Sequence, residues 1–584
     1  MIYEFKELPS NLKPIFVRIK KQRTFGDVLQ EAFDTETNSK GDVIVLCSSR
    51  ASTGPYPDFR ELLDFLWRES KQLNWFFNLR FDLDAVLKQM FRLKHGEYLM
   101  LHNEKVLTID YGPYEIEAAS YKMFTLKKNR EVREFWDLSN FLSGSLDYLS
   151  QKYLGESKSG KDFDKNRMEH YDFGAVKAYC VHDCALTKKL AEFLNTKIEL
   201  VSESLLGNKR SPSAYYSKAS LAEFYAIELV DLVFLQPFKK MSRSAIPVLR
   251  DAYRSYHGGM FQVFNRGLLQ GTKTFDINSA YPYEIMRLKA LDGEWITRKN
   301  DFDLKSDYGI YRVRQRFCGW SPVKIAGRTY YPVTRKMYEN YINKPELEYL
   351  IKTKEDFEVL HGYEHVNSSG AHPFQQFILE LYDCKSGAKE AEDEALYWLY
   401  KVVMNSLYGK FVQTSGDRAG KLFNPIYGAE ITARTRLKVW DVGQQLERLD
   451  YIATDSITGI GNLKVDVSER LGSWSCKTNK DMVLIQNGLS LEKLDGKWVF
   501  KNSRGFSRYQ TTEFKLDKEY LTVKSRKVFH LIEALRRHKV WDTNKFLVAE
   551  KKFELNGLDV RIWLDDFSTK KLIKSVPYGD ELFG

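Results

Sequence analysis

Residues 1–30 lack apolar periodicity and are rich in lysine and arginine; residues 32–46 then read as a strand, an acidic turn and a second strand. Strand and helix signals alternate to about Lys197, where AVKAYCVHDCALTKKLAEFL carries helical spacing and closes a first unit. The polar stretch NKRSPSAYYSK, residues 208–218, reads as a linker. A second unit has a strand ending near Asp276, an irregular stretch over 288–376, a helical block over 377–411 and a strand hairpin near Asp455. The C-terminal stretch is mixed in pattern and strongly basic, and no repeat or low-complexity block interrupts the chain.

At 584 residues the chain is too long for one core, so two or more domains are expected, and 43% hydrophobic with 14% aromatic residues marks it as folded. An excess of 89 Lys and Arg over 78 Asp and Glu, net +11, suits a protein that holds a polyanion. It suits a mildly basic enzyme equally well, so motifs must decide. Six scattered cysteines without CxxC spacing argue against a disulfide framework or a zinc site and for a reducing interior. The start carries no apolar signal core, and no uncharged apolar run reaches about 18 residues. A protein of the cell interior is expected, neither secreted nor membrane-bound.

Two groups of acids carry the chemistry. In FDTETN, Asp34 and Glu36 stand two apart on a strand and leave by the same face. NWFFNLRFDLD adds Asp82, and YCVHD sets Tyr179 and Asp183 at i and i+4 of a helix. Phosphodiester hydrolysis by two metals needs several carboxylates around cations about 4 Å apart and a group that orients the attacking water. Asp34, Glu36, Asp82 and Asp183 supply the first and Tyr179 the second. In order and spacing this set resembles the proofreading 3′→5′ exonuclease domain of family B DNA polymerases, with four acids and a tyrosine. The resemblance implies that Thr37, Asn78 and Phe81 grip a single-stranded 3′ end. It offers Lys161 as an auxiliary lysine, whereas His182 reads as a solvated helix residue.

In TFDINSAYPYEI a strand delivers Asp276 to its end, and a turn then starts a helix at Tyr281. Such a carboxylate can bridge two metals, the Ile277 carbonyl can complete a shell, and Tyr281 can lie beneath a sugar and exclude a 2′-hydroxyl. KVVMNSLYGKF sets Lys401, Asn405 and Tyr408 at i, i+4 and i+7, one helical face suited to a nucleoside triphosphate. Lys389 on the preceding helical segment is a second phosphate candidate. YIATDSITG reads as two strands meeting in a tight turn, with Asp455 at the tip facing Asp276. The family pattern there is DTDS; Ala453 replaces its first acid, which lowers the negative charge beside the cations.

SYHGGMFQVF supplies Tyr256, Gly258 and Gly259, similar to a YxGG element, and ITARTR supplies Thr432 and Arg436, similar to an element that holds template and primer backbones. Together these motifs resemble the protein-primed polymerases of bacteriophages, linear plasmids and related mobile elements. The resemblance implies an α/β and α+β multidomain chain: a ribonuclease-H-like exonuclease (1–207), palm (208–287 and 425–525), a terminal-protein-region insertion (288–376), fingers (377–412), a shortened second insertion (413–424) and thumb (526–584). It further implies a monomer with two Mg²⁺ or Mn²⁺ ions per active site, acting on a primed DNA template, single-stranded DNA and dNTPs, with a terminal protein as a partner. The element that touches the primer end in that branch aligns with IQNG, placing Gln486 and Gly488 where a lysine and a tyrosine are expected. Two other readings remain open: a nuclease on a polymerase scaffold impaired by Ala453, and a non-catalytic DNA binder.

Overall fold

The computed structural model describes all residues except 1–6, 9–22, 25–27, 94–99, 103–105, 120–121, 160–162, 165–166, 213, 232–244, 416–417, 507–510, 529–545, 558 and 584. Most of the patternless N-terminal stretch and the auxiliary-lysine candidate Lys161 therefore lie outside the described residues.

The first unit is an eight-stranded sheet in the order Val43–Ser48, Gln30–Thr37, Leu73–Phe76, Glu131–Asp137, Met123–Lys128, Tyr114–Ala119, Val106–Tyr111, Met100–His102. Leu73–Phe76 runs parallel to both its neighbours, and the remaining pairs are antiparallel. Along Gln30–Thr37 the two-residue period buries Phe33, Thr35 and Thr37 and leaves Asp34 and Glu36 half-buried on the other face. Phe33 joins a core with Phe65, Phe76 and Phe135. The helix Phe173–Leu206 starts on an Asp172 cap, ends on left-handed Gly207 and packs on the acid face, where the Cys180 thiol donates to the Asp34 carbonyl at 3.3 Å. This is the ribonuclease-H-like layer the sequence led us to expect.

Residues 208–218 are not a loose linker. Arg210–Ser211 pairs with Arg23–Thr24, and Tyr215 is fully buried against Trp75, Trp136 and Phe141. The aromatic ring, outweighed in the pattern by its polar neighbours, pulls the segment into the core.

The second unit centres on a five-stranded antiparallel sheet in the order Met260–Val263, Arg448–Thr454, Ser456–Ile460, Lys273–Ile277, Trp474–Thr478, backed by the helix Pro425–Gly443. Above it stand two helices, Gln375–Glu390 and Glu394–Lys410. Asp393 caps the second by accepting from the Leu396 amide at 3.0 Å and also pairs with Lys197 of the long first-unit helix at 2.6 Å, which ties the two units together.

The stretch 288–376 is regular rather than irregular. Glu294–Arg298, Phe357–Val366, Tyr308–Gln315 and Tyr338–Asn343 form a four-stranded sheet followed by the helix Lys344–Thr353. Its alternation is disguised because polar side chains occupy inward positions: buried Gln315 donates to Ser321 at 2.8 Å, and buried Glu364 accepts from Tyr311 at 2.9 Å.

One expected boundary falls inside an element. The division at 525/526 cuts the Tyr520–Val528 strand of a three-stranded sheet with Thr511–Leu516 and Phe546–Glu554. Beyond it, Leu572–Val576 returns to pair with Asn265–Leu269, and Phe583 stacks on Phe317 and Tyr338. Among the described residues, segment 413–424 holds the ladder Thr414–Ser415 with Arg418–Ala419 and no other strand or helix. No helix among the described residues is long and apolar enough to cross a membrane.

Candidate active sites

In the first unit the strand, the Leu79–Leu93 helix and the Phe173–Leu206 helix converge their acids. Asp82 is 2% exposed and is oriented by Thr35, whose amide and hydroxyl donate to one carboxylate oxygen at 2.9 and 2.7 Å. Burial pushes the Asp82 carboxyl up to about 7 despite those bonds. Burial, then Asp82, Glu36 and Asp183, hold Asp34 well above the ordinary carboxylate range. These acids are packed closely enough to repel, and a divalent cation relieves that repulsion. Ligand atoms of Asp34 and Glu36 lie within 4.8 Å of each other and of the Cys180 sulfur. The thiol already donates to a carbonyl and its pKa is raised by burial, so the hard carboxylate oxygens are the fitting donors.

Among the described residues a lysine that reaches these acids is Lys158, which sequence reasoning missed. Its ammonium pairs with Asp183 and lies 5.0 Å from the centroid of the Tyr179 ring. Burial opposes its charge, but Asp183 and Asp34 outweigh burial and hold it above the usual lysine range. Its backbone is pinned by the Asp147 carboxylate, which accepts from the Lys158 amide at 2.8 Å. His182 sits 3.1 Å from the Ser157 carbonyl, so it braces this segment rather than facing solvent alone. Burial and Asp183 likewise raise the Tyr179 phenol. Exposed Asn78 takes a left-handed backbone, φ 66°, and its amide donates to Asp137 at 3.0 Å; Phe81 is half-buried and Thr37 is buried at the strand end.

In the second unit the register pairs Asp276 with Ser456, and the Ile277 amide donates to the Asp455 carbonyl at 2.9 Å. The turn that presents Asp455 is tight: Ala453 pairs with Ser456, and Thr454 adopts φ 63°. Burial and then Asp455 push the Asp276 carboxyl up to about 6, and burial raises Asp455 as well. The Ile277 side chain is buried, so only its backbone can face the acids. Both acids line a cleft of about 1130 Å³ together with Ile277, Tyr281, Lys385, Lys389, Lys401 and Asn405.

Lys401 and Asn405 are exposed on one helical face, as their spacing predicts. Tyr408, one turn further, meets Tyr281 with ring centroids 4.3 Å apart. Lys385, one turn before Lys389, is the residue the sequence reading passed over. Burial, then Lys401 and Lys389, lower its ammonium to about 8. Lys389 itself is engaged by Glu469 at 3.0 Å, from the loop that joins the hairpin to the last palm strand. The cleft thus has an acid wall and a basic wall, which suits a polyphosphate carried with divalent cations.

The expected strand-holding residues are placed differently. Arg436 is 1% exposed and is used internally: it donates to the His257 and Gly258 carbonyls at 2.8 and 2.9 Å and to Glu346 at 2.8 Å. Thr432 is fully buried and donates to the Gly428 carbonyl at 3.0 Å, and Tyr256 is 8% exposed. Direct contact with DNA is closed to these three in this conformation. Exposed Gly258 remains open, with nothing within 4 Å of a built Cβ. A Cβ on Gly259 would lie 2.8 Å from the Tyr281 hydroxyl and 2.7 Å from Thr454, so this glycine serves close packing of the site itself.

An acid pair on an antiparallel palm beneath two lysine-bearing helices, joined to a ribonuclease-H-like domain, defines the family B polymerase class. The family described as "DNA polymerase type B, organellar and viral" matches residues 132–422, and the chain belongs to it. It is 24% identical over 502 residues to the DNA polymerase of Acidianus bottle-shaped virus, covering 78% of this chain and 72% of that protein. It is 23% identical over 334 residues to that of Bacillus phage Nf, covering 50% and 57%. Among solved structures, Phi29 DNA polymerase complexed with primer-template DNA superposes with a TM-score of 0.60 at 15% identity, covering 90% of this chain and 99% of the other.

Proposed function

We propose that the chain is a DNA-directed DNA polymerase with its own 3′→5′ proofreading exonuclease. The observation that carries the reading is the divided cleft, in which Asp276, raised to about 6, faces a set of lysines that includes Lys385, lowered to about 8. A metal-bound dNTP would bring cations to the acid wall and phosphates to the lysines. Asp276 and Asp455 hold two Mg²⁺ or Mn²⁺ ions, which when bound supply Lewis-acid activation of the primer 3′-oxygen and of the leaving pyrophosphate. Lys401, Lys385 and Lys389 bind the triphosphate, and Lys389 exchanges Glu469 for it. Asn405 and Tyr408 face the nascent pair, while Tyr281, packed on Tyr408, excludes a 2′-hydroxyl.

In the exonuclease site Asp34, Glu36, Asp82 and Asp183 hold the metal ions, and Tyr179 and Lys158 orient the attacking water. Thr37, Asn78 and Phe81 receive the frayed single strand. The enzyme acts as a monomer on primed DNA. The folded insertion over 288–376, in a chain whose fold resembles Phi29 DNA polymerase, supports use of a terminal protein as primer.

Extension of a labelled oligonucleotide primer with Mg²⁺ and dNTPs tests the reading. Asp455→Asn should abolish incorporation and leave trimming of a mismatched end intact, and Asp34→Ala with Asp183→Ala should do the reverse. A wild-type chain that trims but never extends would refute it. Covalent labelling of a candidate terminal protein by a dNTP tests protein priming separately.

A further inference from the structure

The palm register lines up Phe261, Ala453, Ser456, Asp276 and Ser475 across the five strands. Directly paired residues share a face of a sheet. The flanking line of Gln262, Ile452, Ile457 and Phe275 is buried, so the Phe261 line lies on the sheet face whose Asp276 and Ser475 line the cleft. At its far end the Phe261 ring is 38% exposed, with the Arg504 guanidinium 5.0 Å from its centroid. Arg504 arrives from the turn after the Lys497–Ser503 strand and is held by its amide, which donates to the Gly488 carbonyl at 2.8 Å. Its side chain passes 3.0 Å from where a Cβ on Gly488 would stand, and Gly488 has φ 72°; glycine gives the arginine its path. Among the described residues Arg504 makes no ion pair.

With strands about 4.8 Å apart, Phe261, which carries Arg504, stands roughly 10 to 14 Å along this line from the acids, a span of a few nucleotides. We infer that Arg504, braced on Phe261, binds a phosphodiester of the primer strand just upstream of its 3′ end and so positions that end at Asp276 and Asp455. The inference rests on the polymerase reading. Ala453 belongs to the same arrangement: a carboxylate at that position, one strand from Phe261, would compete with the phosphate for the arginine.

The test is equilibrium binding of a fluorescent primer–template to the full chain over a series of salt concentrations, beside primer extension. Arg504→Ala should weaken duplex binding about tenfold, lower the slope of log affinity against log salt by about 0.9, and raise the KM for primer–template with little change in kcat. Arg504→Lys should restore the slope. Ala453→Asp should weaken binding in the wild-type background and add nothing to Arg504→Ala. Unchanged affinity and slope in Arg504→Ala, alongside normal extension by the wild type, would overturn the assignment. An equal loss for single-stranded DNA would overturn the primer-strand placement. Tight duplex binding by a wild type that never extends would instead overturn the polymerase reading.

Discussion

Replacing Arg436 separates a structural arginine from a DNA-binding one. Its guanidinium is 1% exposed and bonds two carbonyls and the Glu346 carboxylate, itself 2% exposed, all at 2.8 to 2.9 Å. Removing one partner of a buried pair strands the other charge and costs about 3–5 kcal/mol. Arg436→Ala should therefore lower the urea midpoint of the transition that reports this core by about 2 M, taking a slope near 2 kcal/mol/M. Tryptophan fluorescence is the signal, because Trp320 and Trp474 lie in that core. Arg436→Met combined with Glu346→Leu should recover most of the loss, because no charge is then left buried. The salt slope of DNA binding should stay unchanged in Arg436→Met/Glu346→Leu. An unaltered urea midpoint in Arg436→Ala, with a salt slope smaller by about one, would refute this assignment and return the residue to the DNA surface.

Lys158→Ala should cut exonuclease rate about a hundredfold, the scale of one electrostatic group at a reacting phosphate, and leave incorporation unchanged when both are measured on the same primer. Gly259→Ala should push Tyr281 aside and reduce the preference for dNTP over rNTP, read as the ratio of kcat/KM values; a preserved ratio would contradict the packing. Metal binding requires ionised carboxylates, and Asp82 titrates near 7 where Asp276 titrates near 6. Lowering the pH from 8 to 6 at limiting Mg²⁺ should therefore depress trimming more than extension. The folded pKa of Asp82 is raised, so its contribution to stability is full below the unfolded value near 4 and is lost as the pH rises through about 7. Metal-free protein should melt at lower temperature at pH 8 than at pH 5, by a loss of up to roughly 3 kcal/mol from this group, and Asp82→Asn should shrink the difference.

The acids were legible because local rules place them: a two-residue strand period for Asp34 and Glu36, one helical turn for Tyr179 and Asp183, a hairpin tip for Asp455. Lys385 was legible in the same way, one turn before Lys389, and was passed over for want of a motif. Lys158 was not, since a loop lysine gains meaning only once Asp147 and its packing neighbours bring it to Asp183. Arg436, Thr432 and Tyr256 show the converse: sequence does not distinguish a polar group that meets a ligand from one consumed inside the fold. The sheet within 288–376 was hidden by Gln315 and Glu364, whose inward positions are polar because each finds a partner there.

The central claim is that Asp276 and Asp455, far apart in the chain, hold one pair of cations. Replacing Mg²⁺ by Fe²⁺ and adding ascorbate and peroxide generates radicals that cut the backbone beside the bound ion. With the exonuclease acids removed by Asp34→Ala and Asp183→Ala, cuts should appear both around residue 276 and around residue 455, and should vanish together in Asp455→Asn. Cuts at one segment only, or cuts at 276 that persist without Asp455, would contradict a shared metal site.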